Sequence, residues 1–140
     1  EKGVHEFVEQ GIVVGKLCHT FPSDGDAVIN QTGIEAAISD ADVVVTGEGR
    51  LDAQTVMGKV PVGIAQIAKK YGLPVIAFCG CVGNGAVICN QHGIDAIFPI
   101  LRAITSAEDA MNPDIAKKNL ADTAEQVFHL YHINRKEALD

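Results

Sequence analysis

A chain of 140 residues has the size of a single domain, and at this length roughly 68–70% of the unfolded surface can be buried, enough for a core without disulfides. An apolar share of 47% with 21% charged residues excludes a disordered or fibrous chain. Eighteen acidic against eleven basic residues give a net charge of -7, which opposes general binding to nucleic acid or to anionic membranes.

Residues 1 to 25 carry a mixed helix and strand pattern that ends at Phe21-Pro22-Ser23-Asp24-Gly25, so the readable unit is expected to span residues 26 to 140. Asp26-Ala27-Val28-Ile29 reads as a short strand, followed by a short helix over Ile34 to Ser39. Three runs are then continuously apolar and rich in β-branched residues: Asp42 to Thr46, Pro74 to Cys79 and Asp95 to Pro99. Continuity, where a half-solvated strand would alternate, predicts strands buried on both faces. Between the first two, Ile64, Ile67, Ala68 and Tyr71 recur at helical spacing from Val60, with Lys69 and Lys70 in the last turn and Gly72 as the expected C-cap before Pro74. A shorter helix is predicted from about Gly85 to Gln91.

After the third strand, Thr105-Ser106-Ala107-Glu108 has capping-box spacing, and Asn112-Pro113-Asp114 reads as N-cap, N1 and N2 of a long helix. Along it Ala116, Leu120, Ala124, Val127, Phe128 and Tyr131 form one apolar stripe, expected to dock on the sheet. Strands alternating with helices through short connections predict an α/β fold, a Rossmann-like parallel sheet with flanking helices joined by right-handed crossovers.

Ligands of an open parallel sheet bind outside the carboxyl ends of its strands, and two segments are predicted there. The first runs from Thr46 to Lys59 and holds three glycines, two carboxylates, one guanidinium, one ammonium and two hydroxyls. Glycines such as Gly47, Gly49 and Gly58 let backbone amides approach a phosphate, Arg50 and Lys59 balance its charge, and Glu48 or Asp52 can hold Mg2+ or accept a proton. A solvated loop with an internal ion pair is the plainer alternative. Neither the P-loop nor the dinucleotide fingerprint fits: Ala53 stands where the P-loop needs its first glycine, Val60 where Ser or Thr should follow the lysine, and the third glycine of the dinucleotide motif is missing. The second segment, Cys79-Gly80-Cys81-Val82-Gly83-Asn84-Gly85, is an anion cradle or a tight strand-to-helix turn.

Cys79, Cys81, Cys89 and His92 lie close in sequence, but their spacing is not a common zinc-finger pattern and Cys79 belongs to an expected buried strand. Together with Cys18 they read as reduced cysteines used as small hydrophobes, which points to the cytoplasm. The start of the chain, Glu1 to Glu6, has no basic segment followed by an apolar stretch, and no run approaches the eighteen or so apolar residues of a membrane helix. With aromatics at 5% and Trp absent, base-stacking platforms are not expected. His5, His19, His129 and His132 share no pattern, and Met57 and Met111 read as gap-filling apolar residues.

The stretch Asp40 to Asp52, continuing through Gln54-Thr55 and Gly58-Lys59, closely resembles the signature of the bacterial glycerate kinase family of the glyoxylate and glucarate pathways. The resemblance continues through Pro74-Val75-Ile76, Gly80 to Gly85, His92 to Ala96 and Phe98-Pro99-Ile100 into the final helix, over about residues 26 to 133. It implies ATP-dependent phosphorylation of glycerate to phosphoglycerate with Mg2+, in a two-domain enzyme more than twice this length whose active site lies in the cleft between domains. This chain resembles only the C-terminal part, and residues 1 to 25 lack the glycine-rich stretch the family usually carries just upstream. On that reading Arg50, Asp52 and Lys59 are the candidate catalytic residues and Glu48 the candidate metal ligand. Gly47, Gly49, Thr55, Gly58, Gly80 and Gly83 are the candidate nucleotide-binding positions. The expected partners are glycerate and the remainder of the kinase chain, with neither nucleic acid nor membrane. The competing expectation is a noncatalytic nucleotide- or anion-binding α/β module.

Overall fold

A computed structural model describes residues 13–14, 17–18 and 34–136. The elements in chain order are β1 (Val13–Val14), β2 (Leu17–Cys18), α1 (Ile34–Ile38), β3 (Val44–Leu51), a 3-10 helix (Ala53–Val56), α2 (Val60–Lys70), β4 (Val75–Val82), a second 3-10 helix (Ala86–His92), β5 (Ala96–Pro99), α3 (Ala107–Ala110) and α4 (Pro113–Lys136). They form one sheet in the order β2-β1-β3-β4-β5. The β3–β4 and β4–β5 pairs are parallel, as the alternation of strands and helices predicts. A short antiparallel ribbon of β1 and β2 joins the other side of β3, with Val14 opposite Val44, so part of the less readable N-terminal segment contributes to the sheet. The expected strand over Asp26 to Ile29 lies outside the described residues.

The continuous apolar runs of β3 and β4 are explained by two cores, one on each face, whereas β5, expected to be buried on both faces, is only half-buried because it lies at the edge of the sheet. Val44, Val75, Ala77 and Cys79 point into a cluster with Ile64, Ala65, Ala68 and Ile94, beneath α2. Val45, Ile76 and Phe78, the alternate residues, point into a second cluster with Ala124 and Val127 of α4, and Leu120 and Phe128 pack against it. The stripe on α4 therefore docks on the sheet as expected, and the Tyr131 hydroxyl near its far end donates to the Asp42 carbonyl at 3.3 Å.

Helix boundaries follow their caps. Asn112 Oδ1 accepts from the amides of Asp114 at 2.9 Å and Ile115 at 3.3 Å, with Pro113 opening α4. The cap of α3 is Ser106, which accepts from the Asp109 amide at 3.1 Å, so the N-cap lies one residue beyond Thr105, where the capping-box spacing predicts it. Helix α2 closes on Tyr71, and Gly72 follows it at φ 68°, where its missing Cβ matters. The short helix predicted between β4 and β5 is present as a 3-10 helix over Ala86–His92. Met57 and Met111, expected to fill gaps in the core, are 81% and 82% exposed, because each caps the end of a short helix at the surface.

The largest departure concerns β3 and β4. Neither ends with its apolar run: parallel pairing continues from Val44 opposite Val75 to Leu51 opposite Val82. Gly47, Glu48, Gly49 and Arg50, read as a loop, belong to β3, and Gly80, Cys81 and Val82 belong to β4. Backbone hydrogen bonding between the two strands sustains them where side-chain apolarity stops.

Candidate functional site

The chemistry-bearing side chains gather where β3 leaves the sheet. Asp52 is the N-cap of the first 3-10 helix: its Oδ1 accepts from the Gln54 amide at 2.9 Å, and its own amide donates to Thr55 Oγ1 at 3.0 Å, a reciprocal capping box. The other carboxylate oxygen meets Arg50 Nε at 3.3 Å. Arg50 is 62% exposed and Asp52 18%, so the carboxylate is held while one side of the guanidinium fork stays open to solvent. Thr55 is fully buried, with its hydroxyl turned toward the Asp52 amide.

The turn after β4 lies against this corner. The Gly83 amide donates to the Leu51 carbonyl at 2.7 Å, and the Ala53 amide donates to the Asn84 carbonyl at 3.1 Å. A Cβ on Gly83 would lie 2.8 Å from Arg50 Nε and 2.8 Å from Asp52 Cβ. Gly80 answers a different need, since a Cβ there would stand 2.5 Å from the Gly49 carbonyl oxygen of the neighbouring strand.

Lys59 precedes α2 as its N-cap residue, and its side chain caps no backbone group. The preceding Gly58 is exposed with φ 86°, a turn position suited to glycine. Beneath the corner, burial pushes the Cys89 thiol pKa up; the Asp52 carboxylate adds to that rise and the Lys59 ammonium opposes it, which sets both charges around the same buried sulfur. Cys89 Sγ also donates to the Asp52 carbonyl at 3.8 Å. Among the described residues no group of three His, Cys, Asp or Glu converges as a metal cluster.

Glu48, Gly47 and Gly80 line an open pocket of about 200 Å³, whose apolar wall is Phe78, Ile100 and Leu120. Thr46 also lines it, and its buried Oγ1 lacks a hydrogen-bond partner. Ile100 and Leu120 were not read as site residues because they arrive from the residue after β5 and from α4, far along the chain; a hydroxyl inside an otherwise apolar strand was the one local signal. Arg50, Asp52, Thr55 and Gly83 therefore meet at one corner, while Gly47, Glu48 and Gly80 meet at the pocket. No described helix is long and apolar enough to cross a membrane.

Known proteins share this chain's sequence and fold. A family model described as the glycerate kinase family matches residues 13–132. The glycerate kinase of Haemophilus influenzae is 46% identical over 90 residues, which cover 64% of this chain and 23% of that protein. The glycerate 2-kinase of Escherichia coli is 40% identical over 103 residues, covering 70% of this chain and 27% of that one. A crystal structure from Salmonella typhimurium LT2, of a protein assigned as glycerate kinase 2, superposes with a TM-score of 0.59 at 39% identity, over 79% of this chain and 27% of that chain. This chain thus spans about a quarter of the length of these relatives. With the family model matched from β1 almost to the end of α4 and the signature residues built into β3 and its corner, the chain belongs to the glycerate kinase family.

Proposed function

We propose that the intact protein phosphorylates glycerate to phosphoglycerate at the expense of ATP, and that this chain belongs to its C-terminal α/β portion, the sheet taking in β1 and β2 as well as the expected unit from residue 26. The observation that carries this reading is the Arg50–Asp52 pair, fixed by a capping box at the carboxyl end of a parallel strand and left open on the guanidinium side. Arg50 and Lys59 neutralise phosphate charge, and backbone at Gly47, Gly49, Gly58, Gly80 and Gly83 gives the nucleotide close approach. Asp52 orients the reacting hydroxyl of glycerate, and Thr55 acts through Asp52 by holding its amide. Phosphoryl transfer depends on positioning and charge stabilisation from both sides of a cleft, so the remainder of the kinase chain supplies the facing wall. The protein works in the cytoplasm.

The residues present also fit Mg2+, which is commonly held by one or two carboxylates together with substrate phosphates. Glu48 is the better ligand: it is half-buried and pairs with no cation among the described residues, whereas both Asp52 oxygens are already engaged. Bound with ATP, the ion would screen phosphate charge during transfer.

Incubation of the intact kinase with ATP and glycerate tests the reading. Phosphoglycerate should form, while residues 1–140 alone should fold and turn over negligibly. Folded intact protein that makes no phosphoglycerate would overturn the assignment and leave an anion-binding module. Turnover by the isolated segment at the rate of the whole enzyme would overturn the two-walled site.

A further inference from the structure

We infer that the turn after β4 is a template for the Arg50–Asp52 pair and that Gly83 is a positioning residue for phosphoryl transfer, an inference that rests on the placement of that pair in the active site. Three contacts converge on one missing side chain: a Cβ at Gly83 would lie 2.8 Å from Arg50 Nε, 2.8 Å from Asp52 Cβ and 3.0 Å from Arg50 Nη2. Both members of the pair thus lie against the same backbone atom. The turn is tied to the chain on either side of Asp52, through the Gly83 amide to Leu51 and the Asn84 carbonyl to Ala53. Asp52 itself is pinned from below by Thr55 and Gln54. Arg50, at 62% exposure, has no comparable restraint on its other side among the described residues, so the turn decides where its guanidinium lies.

Glycine is not required at position 83 by its backbone. Its φ is not positive, unlike that of Gly85 two residues on, which sits at 73°. Alanine is therefore compatible with the local conformation, and its methyl group collides with the pair. The mobile partner is the exposed Arg50 side chain, which must swing away, together with a small displacement of Asp52 from the turn. A misplacement of this size in a charge-stabilising group lowers turnover while leaving the fold standing.

The test is a double-mutant cycle in the intact kinase, with kcat, KM for ATP and the melting midpoint measured for Gly83→Ala, Arg50→Ala and the pair. Arg50→Ala should lower kcat on the order of 10²-fold. Gly83→Ala should lower kcat by about tenfold or more with KM for ATP held within about threefold, the pattern of an interaction realised in the transition state. In the Arg50→Ala background, Gly83→Ala should cost at least about threefold less than in the wild type, because the collision with Arg50 is gone and only the contact with Asp52 Cβ remains. An equal cost in both backgrounds would make Gly83 a structural residue and overturn the inference, as would wild-type turnover in Gly83→Ala. If Gly83→Ala alone fails to fold, the double variant, relieved of the Arg50 collision, should be the better folded of the two, and no gain over Gly83→Ala would likewise assign Gly83 to the fold. Unchanged kcat in Arg50→Ala would remove the pair from the active site, which is the failure of the functional reading and not of the template alone.

Discussion

Gly80 and Gly49 face each other across β4 and β3 so closely that a Cβ on Gly80 would lie 2.5 Å from the Gly49 carbonyl oxygen. The obstacle is backbone, which cannot rotate aside as a side chain can. Gly80→Ala must therefore part the two strands just where they carry Arg50 outward, and it should destabilise the fold by about 1–3 kcal/mol. Gly49→Ala makes the control, since its Cβ would meet nothing within 4 Å. That variant should be neutral or more stable by up to about 1 kcal/mol. Urea unfolding of both variants checks the asymmetry, and equal losses would contradict it.

The capping box at Asp52 separates structure from chemistry. Thr55→Val removes the acceptor of the Asp52 amide in a fully buried position and should cost about 1–2 kcal/mol, whereas Thr55→Ser keeps an oxygen there and should cost less. Asp52→Asn preserves a side-chain acceptor for the Gln54 amide and loses only the charge facing a largely exposed Arg50, so stability should change by about 1 kcal/mol or less. In the intact kinase the same substitution should lower kcat on the order of 10²–10⁴-fold. Near-normal kcat would take Asp52 out of the reaction.

At the opposite end of the sheet, Asp95 accepts from the Val75 amide at 2.6 Å and from Lys69 Nζ, joining the start of β5 to β4 and α2. The ion pair is half-exposed and contributes little, but the amide it serves opens β4. Asp95→Ala should therefore cost about 1–3 kcal/mol, while Asp95→Asn, which can still accept from that amide, should lose about 1 kcal/mol or less. Chemical denaturation distinguishes them, and equal losses would mean that the charge with Lys69 matters more than the hydrogen bond.

Burial raises the Cys79 thiol from the ordinary value of 9.0 to about 11, and Cys89 is shifted the same way. The unfolded chain loses these protons first, so stability is fully present below pH 9 and falls as pH rises above it, for Cys79 until about 11. The Cys79 thiol should add up to about 1.4 kcal/mol of lost stability per pH unit within that window. Cys79→Ala should flatten this part of the profile. At pH 8 a thiol reagent should reach half-exposed Cys81 in the folded protein, and Cys79 and Cys89 only after unfolding.

How much of this was legible beforehand depends on the kind of signal each residue carries. Periodicity and caps are properties of one segment at a time. The two doubly buried strands β3 and β4, the stop at Gly72, the Asn112 cap and the stripe from Ala116 to Tyr131 were accordingly readable from sequence, and parallel pairing followed from the alternation of strands and helices; that β5 is an edge strand and only half-buried was not. The charged and glycine-rich signature was equally visible in the sequence, and the structure gathers Arg50, Asp52 and Thr55 at the carboxyl end of β3. What sequence could not decide is what each of those residues touches, because contact is set by register between segments far apart in the chain. Gly47 to Leu51 remain strand since β4 runs alongside them, not through any β propensity of their own. Thr55 turns inward to serve Asp52, and Gly83 is needed small because Arg50 and Asp52 lie against it. Met57 and Met111 have core chemistry but stand at the ends of short helices that leave them exposed. Composition states what a side chain prefers, and only the tertiary structure states which neighbour is there to satisfy it.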